Sequence, residues 1–383
     1  MDGIKIISIE RDQSLFTEGS LAWDRAREYG KLVEEMHIIV FSKKSSGLKE
    51  KKIGENVFVY PTNSISGFFY ASDAASLGKK LVFERKFVRG RSVIAAEDPF
   101  ECGLAGLKIK NKWRLPLEVE IHADPSSSYF KESFSALQRK MCQRVMNEAD
   151  TIRVSSKFLG QKVADLFSKG EAIFVLPAFV DREKIENGQV VFDLHARFGW
   201  HFIMLSVAEL TSVENLSMAL QVLARLRTYF PDTGLILVGS GPEEPSLRSL
   251  AKTLNLEQYV AFVGHVEALT SYYRTSNLYI QTSRFEDRSQ SLVEAGLSGL
   301  PVVSTPVGIA NDLENGKDLY VCPQDDVEYM FKAVYDLLEN NQKRESLKIN
   351  MKRSLDQMLI SKEDYIKSLV ENWHKTASKV SVA

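Results

Sequence analysis

Short apolar segments alternate with longer segments of helical periodicity along this chain. The apolar segments are continuous rather than alternating, which is typical of parallel strands buried on both faces of a sheet. In the first half the predicted strands are Ile4–Ile9, His37–Phe41, Val57–Tyr60, Ser92–Ala95, Leu117–Ile121, Thr151–Val154 and Ile173–Leu176. In the second half they are Phe202–Val207, Leu235–Val238, Tyr259–Phe262, Leu278–Gln281 and Pro301–Ser304. With helices between these strands, the pattern predicts two doubly wound α/β domains.

The predicted helices separate the strands until Pro323, after which the pattern is purely helical. They include Leu21–Glu34, Phe134–Glu148, Phe158–Ser168, Leu216–Tyr229, Ser246–Leu254 and Ser289–Ser298, followed by Val327–Asn340, Ser346–Leu359 and Lys362–Lys379. We expect a first domain at 1–185, a second at 186–361, and a C-terminal helix at 362–383 that packs back on the first domain through an apolar stripe. Ligands of such sheets bind beyond the carboxyl ends of the strands, so the cleft between the domains is the expected site.

Composition and cysteine content narrow the class of protein. The chain has 383 residues, of which 44% are hydrophobic and 26% charged, with a net charge of −1. No apolar run reaches the ~18 residues of a membrane-spanning helix, no secretory signal is visible, and the charge balance does not favour nucleic acid. Cys102, Cys142 and Cys322 are too far apart in sequence for a disulfide framework or a zinc site. We expect a cytoplasmic protein.

Basic charge is concentrated in the first half. Residues 1–184 carry 30 Lys and Arg against 25 Asp and Glu, whereas residues 185–383 carry 19 against 25. A basic cluster follows the aromatic stretch Phe68-Phe69-Tyr70: Lys79, Lys80, Arg85, Lys86, Arg89 and Arg91, with Lys108, Lys110, Lys112 and Arg114 further on. Such a patch can hold a domain on an anionic membrane, and the simpler alternative is a solvated helix face.

A glycine-rich turn, Val238-Gly239-Ser240-Gly241-Pro242, follows one predicted strand. A dinucleotide-binding fingerprint needs a third glycine where this chain has Glu244. A tight strand-to-helix turn is therefore favoured over a Rossmann cofactor site. Because a dehydrogenase needs such a cofactor site, the missing glycine also argues against a dehydrogenase function.

The segment from Thr282 to Gly296 offers the most chemistry. Glu286 lies in a loop after a strand, Ser289 is a good N-cap for the next helix, and Glu294 lies on that helix among apolar residues. A carboxylate there needs a hydrogen-bond partner. The free amides at Ser289, Gln290 and Ser291 form an anion site at the helix N-terminus. Two carboxylates beside a phosphate cradle fit a sugar nucleotide, although a loop Glu and a helix Glu are by themselves more often structural.

In this context the sequence resembles glycosyltransferase family 4. The resemblance rests on Glu286 and Glu294 with seven residues between them, the strand Gly299–Thr305, the turn Pro306-Val307-Gly308, the Gly239–Pro242 turn and the segment Phe262–Val266. It covers residues 205–326 well and the first half more loosely, through motifs such as Ile121-His122-Ala123-Asp124.

The resemblance implies a GT-B fold, with two facing Rossmann-like domains that bind the acceptor and the nucleotide-sugar donor respectively. It implies a retaining transfer of a sugar, of the hexosyltransferase type found in polysaccharide biosynthesis, to a carbohydrate or lipid-linked acceptor, with no metal and no cofactor. Glu286 would act on the hydroxyls of the donor sugar, and Glu294 would hold the ribose. His122 would lie near the sugar, Gly19 near the donor phosphates, and Val266 would also contact the donor.

One departure from the family concerns charge. Members carry an Arg and a Lys that clamp the donor pyrophosphate where this chain has Glu209 and Glu214. At each of the two positions a negative side chain replaces a positive one, so that attraction towards the donor pyrophosphate becomes repulsion. Arg288 is a candidate to restore one positive charge near the helix N-terminus. The departure supports an alternative function, that of a glycosyltransferase-like protein with weak or no activity that serves as a binding partner.

Overall fold

The computed structural model describes residues 3–177, 179–180, 182–286 and 289–379. They form two compact units. Unit 1 comprises the described residues up to Leu176 together with those from Lys362 onward, and unit 2 runs from Pro177 to Ser361. The chain therefore leaves unit 1 after Leu176, whereas the sequence predicts a first domain that runs to residue 185.

The part of unit 1 that precedes unit 2 in the chain forms a single sheet with connecting helices. Its strands are β1 (Lys5–Glu10), β2 (Glu35–Val40), β3 (Lys51–Lys52), β4 (Val57–Pro61), β5 (Ser92–Ala96), β6 (Leu117–Glu120), β7 (Thr151–Val154) and β8 (Ile173–Val175). Its helices are α1 (Leu21–Gly30), α2 (Tyr70–Glu84), α3 (Glu101–Trp113), α4 (Ser128–Ser133), α5 (Ala136–Glu148) and α6 (Lys157–Phe167). The strand order is β3-β4-β2-β1-β5-β6-β7-β8, parallel except for β3 against β4.

Unit 2 repeats the architecture with a smaller sheet. Its strands are β9 (Phe202–Val207), β10 (Thr233–Val238), β11 (Val260–Gly264), β12 (Leu278–Gln281), β13 (Val302–Ser304) and β14 (Tyr320–Val321). Its helices are α7 (Arg182–Asn187), α8 (Leu194–Phe198), α9 (Leu216–Leu226), α10 (Glu244–Thr253), α11 (Thr270–Thr275), α12 (Gln290–Leu297), α13 (Val327–Glu339) and α14 (Asn341–Met358). The order β11-β10-β9-β12-β13-β14 is parallel throughout.

The strand order in unit 2 reverses between β9 and β12, which pair with Tyr279 beside Leu205. The connection after β9 runs to one side of the sheet, whereas the connection after β12 runs to the other. In open parallel sheets this reversal leaves a crevice beyond the carboxyl ends of the two strands. The helices α9 and α12, which follow these strands, therefore begin beside that crevice.

The last described helix, α15 (Lys362–Ser378), packs in unit 1 against β5, β6 and α1. Leu369, Trp373 and Ala377 on this helix are buried. Thr376 Oγ1 lies 2.8 Å from Thr151 Oγ1 of β7, and both side chains are buried. The apolar stripe predicted for this helix is thus packed against the sheet of unit 1.

Two differences from the predicted elements have physical causes. The strand β3 was not predicted because Lys51 and Lys52 carry no apolar signal, and charged residues are typical of edge strands. The helix predicted at Leu21–Glu34 ends at Gly30. There the side-chain amide of Asn56 donates to the carbonyl oxygens of Gly30 and Val33 at 2.8 Å, so a distant residue satisfies the backbone that a longer helix would have used.

Candidate donor site in unit 2

The connection from β12 to α12 brings a carboxylate to the start of a helix. Glu286 Oε1 accepts a hydrogen bond from the backbone N–H of Ser289 at 3.3 Å. Ser289 precedes α12 in the left-handed conformation, with φ 46° and ψ 44°. A left-handed backbone is uncommon for a residue with a side chain, and it cannot aim the hydroxyl at the first-turn amides as an extended N-cap residue does.

The prediction that Ser289 caps α12 through its side chain is therefore wrong. The residue stands at the N-cap position, but its side chain makes no capping hydrogen bond. Its Oγ is buried and has no hydrogen-bond partner among the described residues. Unsatisfied buried hydroxyls are rare. The helix start thus combines first-turn amides, which carry the positive end of the helix dipole, with a hydroxyl that can still donate a hydrogen bond.

Glu294 has the hydrogen-bond partners that its apolar surroundings require. Its Oε2 accepts from the Tyr273 hydroxyl at 3.1 Å, and its Oε1 accepts from the side-chain amide of Gln290 at 2.8 Å. Leu292, Val293, Ala295 and Leu297 on the same helix are buried. Two donors from the protein therefore hold a half-buried carboxylate in one orientation.

A second tyrosine, Tyr279 of β12, supports the same helix. Its hydroxyl donates to Ser291 Oγ at 2.8 Å and lies 3.4 Å from the carbonyl oxygen of Val207. Burial raises the pKa of this phenol, and the nearby carboxylates Glu286 and Glu214 raise it further. The phenol therefore remains a proton donor, and both carboxylates lie within electrostatic reach of it.

Glu209 and Glu214, which stand where the resembling family has basic residues, lie on the connection from β9 to α9. Glu209 is exposed, whereas Glu214 accepts a hydrogen bond of 2.5 Å from Ser283 Oγ. Burial raises the pKa of Glu214, and Glu209 adds to this effect. The next residue, Asn215, begins α9 in the left-handed conformation without a side-chain capping bond. The helices on both sides of the crevice thus start in the same unusual way.

The glycine-rich turn packs against this connection. A Cβ on Gly239 would lie 1.9 Å from the carbonyl oxygen of Ala208, and a Cβ on Gly241 would lie 2.4 Å from that of Leu210. Backbone hydrogen bonds join Leu210 to Ser240 at 3.0 Å and to Glu243 at 2.8 Å. The two glycines therefore allow the turn to pack closely against the backbone of this connection, as a tight strand-to-helix turn requires.

The chain is similar in sequence to known glycosyltransferases. Residues 195–354 match the family model of the glycosyl transferases group 1. The chain is 34% identical over 173 residues to an uncharacterized glycosyltransferase of Haemophilus influenzae, covering 44% of this chain and 47% of the relative. It is 25% identical over 222 residues to the GDP-mannose-dependent alpha-(1-6)-phosphatidylinositol monomannoside mannosyltransferase of Mycolicibacterium smegmatis, covering 54% and 57%. The chain spans about half the length of these curated relatives.

Solved structures resemble nearly the whole chain. Anabaena HepE in complex with UDP-glucose superposes with a TM-score of 0.72 at 18% identity, covering 96% of this chain and 99% of that one. Sucrose-phosphate synthase from Thermosynechococcus elongatus superposes with a TM-score of 0.74 at 15% identity, covering 97% and 98%. The fold is GT-B. The predicted fold class is thus confirmed.

Within the GT-B fold, the structure brings several predicted residues together in unit 2. Glu286, Ser289, Gln290, Ser291 and Glu294 lie within nine consecutive positions around the start of α12. Val266 follows β11 and is half-buried. Arg288, the candidate replacement for the phosphate clamp, lies outside the described residues.

Gly19 and His122 lie in unit 1. Gly19 has φ +78° and no atom within 4 Å of the place where a Cβ would be, and it precedes Ser20, whose Oγ caps α1 by accepting from the backbone N–H of Trp23 at 3.2 Å. His122 follows β6, with its Nε2 3.8 Å from Glu120 Oε1. His122 thus lies just beyond the carboxyl end of β6, and Gly19 lies in the connection between β1 and α1.

The carboxyl edge of unit 1 also holds carboxylates that the sequence analysis did not select. Glu10 ends β1, Glu97 follows β5, and Glu120 ends β6. Burial and the neighbouring Glu97 raise the pKa of Glu10 to about 6. In the sequence each of these residues is a Glu at the end of an apolar strand. This pattern indicates a shared cluster of carboxylates only once the strand order, which places β1, β5 and β6 side by side, is known.

Two further findings concern metals and membranes. Among the residues that the structure describes, no group of three or more His, Cys, Asp or Glu side chains is arranged to hold a metal ion. Within the same residues, no helix has both the length and the apolar character needed to cross a membrane.

Proposed function

We propose that the protein transfers a sugar from a nucleoside-diphosphate sugar to an acceptor hydroxyl, with retention of anomeric configuration and without a metal or cofactor. One observation carries this proposal: just before α12 the backbone N–H of Ser289 donates to Glu286, the buried Ser289 hydroxyl has no hydrogen-bond partner among the described residues, and Glu294 lies just over one turn further on. These groups provide acceptors for sugar hydroxyls beside a site for an anion. The match to the glycosyl transferases group 1 covers the same segment.

Each group has a task in the proposed reaction. Glu294 accepts hydrogen bonds from the ribose, and Glu286 accepts them from hydroxyls of the donor sugar. The backbone N–H of Ser289 already donates to Glu286, so of the three amides that the sequence offered, those of Gln290 and Ser291 bind the phosphate next to the scissile bond. As the bond from the anomeric carbon to the phosphate oxygen breaks, these amides stabilise the charge that develops on the leaving nucleoside diphosphate. The acceptor oxygen forms the new bond on the same face of the sugar, and its proton passes to the departing phosphate oxygen.

Unit 1 supplies the acceptor side in this proposal. His122 at the end of β6 contacts the transferred sugar, and Gly19 allows the backbone before α1 to approach the donor phosphates. The acceptor is a carbohydrate or a lipid-linked glycan. The carboxylates Glu10, Glu97 and Glu120 at the same edge of the sheet are suited to accept hydrogen bonds from hydroxyls of such an acceptor.

Thermal-shift measurements with a panel of nucleotide sugars test the donor class, because a bound ligand stabilises the folded protein by mass action. The first donors are UDP-glucose, which is bound in the structurally similar Anabaena protein, and GDP-mannose, which the mycobacterial relative uses. Product formation with and without EDTA then tests the metal-independent reaction, and NMR of the product identifies the anomer. An inverted product, or activity lost in EDTA and restored by a divalent cation, contradicts those parts of the proposal.

A second candidate is a binding protein with weak or no transferase activity. The observation in its favour is that Glu209 and Glu214 lie on the connection that begins beside the donor crevice, where negative charge opposes a pyrophosphate. Nucleotide-sugar binding without turnover in the presence of any acceptor supports this candidate, whereas transfer at ordinary enzyme rates excludes it.

We also propose peripheral contact of unit 1 with an anionic membrane, through the segment that leads into α2. Ile65 is 84% exposed and Phe68 is 90% exposed, and basic residues follow on α2 and after it. Exposed aromatic side chains beside basic ones are typical of interfacial binding. Lys110 does not belong to this patch because it is paired with Asp150 and the carbonyl oxygen of Glu148. Co-sedimentation with vesicles containing phosphatidylserine tests the contact, with phosphatidylcholine vesicles as the control.

A further inference from the structure

We infer that Tyr273 is a positioning residue for nucleotide recognition: its hydroxyl holds Glu294 so that the carboxylate presents one free acceptor site on each oxygen to the vicinal diol of a ribose. The inference rests on the proposed function and deepens it, because it explains how the site selects a ribonucleotide.

The first step in the argument is the count of acceptor sites. A carboxylate oxygen has two lone pairs that can accept hydrogen bonds. Tyr273 uses one on Oε2 and Gln290 uses one on Oε1. One acceptor site therefore remains on each oxygen, and a pair of adjacent acceptors matches the adjacent 2′ and 3′ hydroxyls of a ribose.

The second step is rigidity. Gln290 lies on the same helix as Glu294 and is exposed, so its hydrogen bond can rearrange with solvent. Tyr273 comes from α11, is 2% exposed, and packs with its ring centroid 6.3 Å from that of Tyr279. The hydroxyl of a buried ring with few rotamers fixes the position of the carboxylate far better than a mobile amide does.

The third step concerns the protonation state of Tyr273. Burial raises the pKa of its phenol well above the usual value, and the neighbouring Tyr279 and Glu294 raise it further. The group therefore remains a hydrogen-bond donor to Glu294 at any pH at which the protein is assayed. Its role is to orient the carboxylate, and it takes no part in proton transfer.

Calorimetric titration with UDP and with 2′-deoxy-UDP tests the inference without any need for turnover. For the unaltered protein we expect UDP to bind about tenfold more tightly than its 2′-deoxy analogue, because a hydrogen bond to a charged group is lost in the analogue. In Tyr273→Phe we expect this preference to fall to about twofold, because the carboxylate is no longer held. Tyr272→Phe is the matched control, since its ring is also buried but packs against Phe192 at 5.1 Å. The control should keep the full preference.

A double-mutant cycle with Glu294→Gln shows whether Tyr273 acts through the carboxylate. If it does, the double variant loses no more 2′-hydroxyl preference than Glu294→Gln alone. Thermal unfolding of each variant verifies folding. Should Tyr273→Phe not fold, Glu294→Asp replaces it, because a shortened carboxylate can no longer meet the phenol and the ribose together.

The possible outcomes separate the inference from the function on which it rests. A preference for UDP that persists in Tyr273→Phe overturns the inference and leaves the proposed function intact. Equal binding of UDP and 2′-deoxy-UDP by the unaltered protein overturns the role of Glu294 and the inference with it. If UDP does not bind, the same comparison is made with GDP and 2′-deoxy-GDP. If neither UDP nor GDP binds, the proposed donor class is wrong, and the inference falls for that separate reason.

Discussion

Trp373 of α15 donates its indole N–H to Glu118 Oε1 of β6 at 3.2 Å. Glu118 is 1% exposed, and it also contacts Asn372 of α15 and Arg153 Nε of β7, the latter at 3.3 Å. A buried carboxylate with this set of partners is strongly held as long as all of them remain. The segment that follows unit 2 is thus joined to unit 1 by polar contacts as well as by apolar packing.

Replacement of Trp373 by Phe should destabilise the protein by about 1–3 kcal/mol, because Glu118 stays buried while one of its donors is lost. Trp113→Phe is the control, since the Nε1 of Trp113 has no hydrogen-bond partner among the described residues. Denaturant unfolding of both variants gives the comparison. Equal losses in the two variants would show that ring size, not the hydrogen bond, determines the effect.

Glu10 should make stability depend on pH. Its pKa is raised to about 6 by burial and by Glu97, so the folded state binds more protons than the unfolded state between about pH 4.5 and 6, and stability falls as the pH rises through this range. We expect Glu10→Gln to be about 1–2 kcal/mol more stable than the unaltered protein at pH 7 and equally stable at pH 4.

Thermal unfolding at the two pH values measures this difference. Glu18→Gln, at an exposed position in the connection after β1, is the control: it retains Glu10, so its stability should follow that of the unaltered protein at both pH values. A loss of stability at pH 7 in Glu10→Gln would mean that attraction from Arg25 outweighs the cost of burial.

Glu286→Ala should reduce sugar transfer by about a hundredfold or more while changing the unfolding temperature little. The reason is that the hydrogen bond which Glu286 accepts at the start of α12 is long, at 3.3 Å, whereas the proposed reaction needs the carboxylate for the donor sugar. Initial rates per folded molecule are the measurement, with the exposed Glu267→Ala as the control. Unfolding of Glu286→Ala with normal activity in its folded fraction would identify a structural carboxylate.

Restoring positive charge at the exposed position should strengthen donor binding. We expect Glu209→Arg to tighten binding of a nucleoside diphosphate about threefold to tenfold at low salt, with a smaller gain at high salt. Glu214→Lys should instead destabilise the protein, because it removes the acceptor of the Ser283 hydroxyl in a largely buried place. Calorimetry at two salt concentrations tests the first change. A salt-independent result would place Glu209 away from the phosphates.

Gly239→Ala should be strongly destabilising, by more than about 3 kcal/mol, because its Cβ would overlap the carbonyl oxygen of Ala208. Gly264→Ala is the matched control: it too has a positive φ, +80°, but no atom lies within 4 Å of its Cβ position, so it should cost about 1 kcal/mol. Chemical denaturation measures both changes. Similar losses would show that conformation, rather than contact with the connection after β9, makes the glycine necessary.

The hydrophobic pattern alone predicted the two series of strands and most helices. This was possible because a parallel strand buried on both faces leaves a continuous apolar run that does not depend on which strand lies beside it. The same holds for Glu294: a carboxylate among Leu292, Val293 and Leu297 predicts a hydrogen-bond partner before any partner is known.

Tertiary structure decided which groups meet. No periodicity within one element could show that Tyr273 of α11 reaches Glu294 of α12, that Ser289 is left-handed with its hydroxyl buried, or that Asn56 ends α1. Such contacts join residues far apart in the chain, and their geometry follows from how helices pack on a particular strand order. Local patterns report whether a side chain is buried, whereas the identity of its neighbours is a property of the packed fold.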